Sequence, residues 1–139
     1  MPPGVRLAIL RVGGVLLVAL GALHLAVTPI IARLIAGSTS PAGAAWLTPP
    51  MLLNHVVVGI LLLPLGGLTF YAASGAARGE RWALVICRAV AVAIAALPVT
   101  LLVLMGGRYF GAAPFVAATG ILAAACLALL AAAFWPAPH

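Results

Sequence analysis

Four stretches of the chain are almost purely apolar, and the segments between them are short and rich in glycine, serine and proline. A helix rises 1.5 Å per residue, so about 20 mainly apolar residues cross a hydrocarbon layer about 30 Å thick. Residues 12–32, 51–73, 83–105 and 115–135 meet that length. The pattern predicts an all-α polytopic membrane protein, with four transmembrane helices in an antiparallel bundle and one domain over residues 1–139. Connections are expected at 37–50, 74–82 and 106–114, where the breakers cluster. Arg6 and Arg11 precede the first run as basic residues precede a secretory signal. That run is longer than the roughly 7–15 residues of a signal core and no small-x-small site follows it, so a retained helix is expected.

Composition strengthens the membrane reading. Of 139 residues, 66% are hydrophobic and 6% charged, and the mean hydropathy is +1.32. A soluble domain carries about 25% charged residues to cover its surface. Too few charges remain here to clothe a globule in water, so lipid is the expected solvent.

The net charge of +6 comes from seven arginines and the single acid Glu80. They stand singly near the ends of apolar runs, a pattern that argues against nucleic acid and for a topology signal. Arg6, Arg11, Arg78, Arg81 and Arg88 flank the amino tail and the second connection, whereas only Arg33 and Arg108 flank the first and third. The asymmetry puts both termini in the cytoplasm of a bacterial inner membrane, with the first connection outside. Trp46 and Tyr109 then mark the outer headgroup level, and Tyr71, Trp82 and Trp135 the inner one.

Helices in lipid associate through small residues that let backbones approach. Gly120, Ala124, Ala128 and Ala132 recur every four residues in the fourth run and form the expected docking face for a partner helix or a second copy. Pro29, Pro64 and Pro98 each remove an intrahelical hydrogen bond, freeing the carbonyls of Leu25, Ile60 and Ile94. Thr28 and Thr100 stand beside two of these breaks as candidates to restore the bonding. Cys87 and Cys126 lie in separate runs with no CxxC and read as small buried hydrophobes rather than a disulfide or metal pair.

The polar residues inside the runs are the candidates for chemistry, because unpaired polar groups at membrane depth are costly. Counting from Arg33 puts His24 roughly 13 Å below the outer end, and counting from Pro50 puts His55 roughly 8 Å below it. The two are expected in the outer half, about one helical turn apart in depth. Thr28 shares a face with His24. His24, Thr28, Asn54 and His55 would form one cluster, closed above by Arg33 and Arg108. Two imidazoles are an incomplete metal site but suffice for a haem. Histidine and asparagine can instead bind a quinone or a lipid headgroup, with an arginine pairing an anion. Alternatively, each imidazole only joins helices by hydrogen bonds. Proton-coupled export lacks an intramembrane carboxylate, dithiol exchange lacks paired thiols, and Ser38, Ser40 and Ser74 all fall in connections. No catalytic residue is assigned.

Gly21-Ala-Leu-His24 followed by Pro29, and Gly59-Ile-Leu-Leu-Leu-Pro64 followed by Trp82-Ala83, resemble the small four-helix DoxX-like membrane proteins. The resemblance covers about half the chain and implies an accessory role near membrane redox chemistry, often with quinones. No acidic residue precedes Gly59 and the fourth run carries no matching signature. Three roles are therefore expected in order: a non-enzymatic accessory or structural subunit; a redox-linked or ligand-binding protein using His24 and His55; and a small transporter or channel subunit.

Overall fold

The computed structural model describes residues 1–38, 40–105 and 113–136. It is all-helical, with α1 (Pro3–Ser38), α2 (Pro41–Ala77), α3 (Arg81–Met105) and α4 (Ala113–Phe134). Three of the helices are long and apolar enough to cross a membrane, over Pro3–Gly37, Pro41–Ala77 and Arg81–Thr100. Large apolar side chains such as Leu16, Leu23, Leu34, Leu53, Val92 and Leu127 are exposed on their surfaces. Apolar exposure on that scale suits hydrocarbon rather than water.

The first connection is far shorter than its composition predicts. Rather than a loop over 37–50, α1 continues to Ser38 and α2 begins at Pro41. Ser40 caps α2: its hydroxyl accepts the Gly43 amide at 3.2 Å, and its carbonyl accepts that of Ala44 at 2.8 Å. Pro41 takes the first helical position, where its missing N–H is no loss. The helix then runs through Pro49 and Pro50, leaving the carbonyls of Ala45 and Trp46 without their usual donors. α1 likewise starts early, with the Pro2 carbonyl accepting the Arg6 amide at 3.1 Å and Pro3 opening the helix.

The second connection shrinks to a turn at residues 78–80. The Glu80 amide donates to the Gly75 carbonyl at 2.9 Å and the Gly79 amide to Ala76 at 3.1 Å, with Gly79 at φ 81°. This is a Schellman ending, which needs the left-handed conformation that glycine adopts without penalty. Glu80 then accepts from Arg78 Nε at 2.6 Å through one oxygen and from Trp82 Nε1 at 2.7 Å through the other. The Arg78 and Trp82 hydrogen bonds hold its carboxyl below the ordinary value of 4.5. A depressed carboxylate contributes stability that is complete above its unfolded pKa and is lost as pH falls through the folded one. The midpoint of any Trp82 fluorescence transition with acid is therefore expected below the ordinary value of 4.5. A Trp82→Phe variant identifies the signal, and a transition at or above the ordinary value would contradict the hydrogen-bonded turn.

The chain packs as two compact units, one of Met1–Gly13 with Leu68–His139, the other of Gly14–Gly67. In the first, α3 buries one stripe, Ala83, Cys87, Val90, Ala91 and Ile94, at helical spacing. It packs against α4, which buries Cys126, Leu129, Ala132 and Ala133. Leu10 and the small residues Ala72, Ala73 and Ala76 complete that core. Cys126 is more than a small hydrophobe: its thiol lies 3.7 Å from the Ile94 carbonyl, the group that Pro98 leaves without a backbone donor. Thr100, the residue expected to restore that bonding, is exposed.

Candidate functional site

In the Gly14–Gly67 unit, α1 and α2 approach backbone to backbone. A Cβ on Gly66 would fall 2.6 Å from the Gly14 carbonyl oxygen, and one on Gly21 would fall 2.8 Å from that of Gly59. Residue numbers rise along one helix as they fall along the other, so His24 and His55 meet just beyond the Gly21–Gly59 contact. Their rings stack with centroids 4.7 Å apart and planes inclined by 28°.

Hydrogen bonds fix part of the chemistry. His24 Nδ1 lies 3.0 Å from the Leu20 carbonyl. That oxygen can only accept, so Nδ1 carries the proton and neutral His24 keeps its lone pair on Nε2. Thr28 Oγ1 donates to the His24 carbonyl at 2.9 Å, rather than to the Leu25 carbonyl that Pro29 frees. His55 Nε2 is buried without a hydrogen-bond partner among the described residues. Such a group costs about 1–3 kcal/mol.

Three of the six expected cluster residues come together. His24 and His55 touch, and Thr28 joins them through the His24 backbone, but Asn54 and Arg33 are exposed and make no hydrogen bond to either ring. Arg108, with Tyr109, lies outside the described residues. The depth expected for His55 is counted from Pro50, whereas α2 starts at Pro41. Nor does a haem fit this arrangement. Iron ligated by two imidazoles sits between them with the macrocycle separating the rings, and faces 4.7 Å apart leave no slot for it.

In the other unit, arginines that satisfy the topology rule also make buried contacts. Arg6 is 1% exposed. Its guanidinium donates to the Ala76 carbonyl at 3.3 Å, to Pro136 at 3.3 Å, and to Trp135. Ala76 lies in the last turn of α2 and Trp135 follows α4, so Arg6 joins two helix C-termini, adding to the Gly79 amide that the Ala76 carbonyl already accepts. Each helix end carries roughly half a negative charge, so two together offset about one cation. Arg88 repeats the device, donating from Nε to the Ala133 carbonyl at 3.1 Å while lying over Phe134. The usable signal was position, since Arg88 falls inside the third apolar run, where a charge needs a partner.

On α4 the expected small-residue face divides. Gly120, Ala124 and Ala128 are exposed, and nothing lies within 4 Å of a Cβ built on Gly120, whereas Ala132 is fully buried. A four-residue repeat drifts around a 3.6-residue helix, and by Ala132 it has turned onto the α3-facing side.

Compared with known protein families, curated proteins and solved structures, the chain matches none. The resemblance to DoxX-like proteins accordingly rests on the motifs around His24 and Gly59 alone.

Proposed function

We propose that the chain is a non-enzymatic accessory subunit of a bacterial inner membrane, crossing it four times as an antiparallel bundle with both termini in the cytoplasm. The observation that carries the accessory role is the two-sided character of α4. Cys126, Leu129 and Ala133 are buried in the core with α3, while Gly120, Ala124 and Ala128 leave a shallow face uncovered. A face of that kind lets another helix approach closely enough for dispersion contacts to hold it in lipid. Replacing Ala124 and Ala128 together with leucine is expected to abolish association with a co-purifying partner or second copy. Undiminished association in cross-linking and mass spectrometry would remove the role.

The orientation draws support from the arginine end. Arg6, Arg11, Arg78 and Arg88 all belong to one unit and bind or flank the ends of α2 and α4. Reporter tags on the two termini should both report the cytoplasm.

A second reading, ligand binding in the membrane, is favoured by the unsatisfied Nε2 of His55 beside the lone pair on His24. The ligand would be an apolar molecule carrying a hydroxyl or carbonyl, of the quinone or lipid class, reached by a small separation of the stacked rings. Organic extraction of protein purified in mild detergent should then release one such molecule, lost in a His55→Phe variant. Equal extracts from both proteins would leave the pair as a helix-joining contact.

A further inference from the structure

We propose that Arg11 and Arg78, with the aromatic pair Tyr71–Trp82, form a docking surface for the headgroup of an anionic phospholipid. This rests on the membrane reading above and adds to it a partner of stated chemistry. Arg11 is held in place: its Nη2 donates to Ser74 Oγ at 3.2 Å and its guanidinium lies 5.7 Å from the centre of the Phe70 ring. The Arg78 amide donates to the Ser74 carbonyl at 3.3 Å, so the residue that anchors Arg11 and the backbone of Arg78 are one turn apart at the end of α2. Tyr71 and Trp82 extend the surface, with ring centroids 5.8 Å apart and exposures of 73% and 46%.

Charge on this surface is incompletely balanced. Arg11, Arg78 and Arg81 face a single acid, Glu80, leaving a net +2 from three cations and one anion. Both oxygens of Glu80 are already engaged, one by Arg78 and one by Trp82. The Arg78 side chain nevertheless remains 65% exposed. Guanidinium groups present paired donors that match phosphate oxygens. Exposed tyrosine and tryptophan prefer the level where acyl chains meet headgroups. Phosphate affinity and an apolar anchor at the same level describe a phospholipid better than a soluble anion, and an anionic leaflet supplies the complementary charge.

The test uses the full chain reconstituted in nanodiscs of phosphatidylcholine with a minor fraction of phosphatidylglycerol, extracted gently and read by native mass spectrometry. Phosphatidylglycerol is expected to be retained about tenfold over its share of the disc. That enrichment should vanish in an Arg11→Gln/Arg78→Gln variant, persist in Arg33→Gln, and survive millimolar inorganic phosphate. The headgroup comparison on the unaltered chain needs no variant to fold. Equal retention of the two lipids, full enrichment in the double variant, or displacement by inorganic phosphate would each overturn the lipid site. Failure of the chain to enter discs at all would instead sink the membrane reading, and this surface with it.

Discussion

Leucine at Gly66 or Gly21 is expected to force α1 from α2 and to unstack His24 from His55. The reason is which atoms stand in the way. A Cβ at Gly66 would meet the Gly14 oxygen at 2.6 Å and the Val18 nitrogen at 2.7 Å; at Gly21 it would meet the Gly59 oxygen at 2.8 Å and the Leu63 nitrogen at 3.1 Å. Backbone cannot rotate aside as a side chain does, so the helices must separate. Overpacking typically costs about 1–3 kcal/mol, and backbone-to-backbone contact puts these sites at the upper end. Gly67 supplies the control, being adjacent, exposed and free of any atom within 4 Å of an added Cβ. Thermal unfolding in detergent should show a large loss for Gly66→Leu and little for Gly67→Leu. Matching midpoints for the two would mean that α1 and α2 do not meet through these glycines.

Arg6→Met is the second large effect. It keeps much of the aliphatic bulk but removes every donor to Ala76, Trp135 and Pro136. Hydrogen bonds from a charged group contribute about 1.5–3 kcal/mol each; the Ala76 carbonyl keeps the Gly79 amide, while the part-buried carbonyls of Trp135 and Pro136 lose the Arg6 donor. A loss of roughly 3 kcal/mol is expected, with early proteolysis after α4. Arg6→Lys should recover only part of it, because one ammonium cannot span two helix termini as a planar fork does. Arg88→Met removes a single half-buried bond and should cost less. A fully stable Arg6→Lys protein would show that charge alone, without the fork, joins these ends.

The four helices were legible because apolar run length is a direct consequence of solvent, and each run lies in a helix but for Trp135 at its end. Their limits were not. Ser40-Pro41 was counted with the breakers around it, although a hydroxyl followed by proline is also how a helix begins. Pro49-Pro50 was read as a boundary because proline lacks a donor, yet α2 passes through both. The depth expected for His55 is therefore counted from within α2 rather than from its start. The histidine contact itself was foreseeable, since two polar residues on successive apolar helices gain by meeting.

The packing devices were the least visible. Gly14 and Gly21 in α1, and Gly59 and Gly66 in α2, recur at the same seven-residue interval, which was the available sign. The more abundant alanines obscured it. Arg6 and Arg88 obey the topology rule and also bind carbonyls, so the first explanation concealed the second. Cys126 reads as a hydrophobe by composition, and its use as a donor emerges only once Pro98 is set opposite it.

The length of α2 has a consequence for how the chain sits at an interface. Its 37 residues extend about 55 Å, whereas the hydrocarbon of a bilayer is about 30 Å thick. Such an excess is relieved by tilt, by bending, or by letting one end protrude. Trp46, 83% exposed, would mark the waterline three residues before Pro49. Above it, Pro41–Ala45 would form a short stalk, and the Ala45 and Trp46 carbonyls that the proline pair orphans would stand where water can solvate them. At that level the proline pair would break the backbone ladder at little cost.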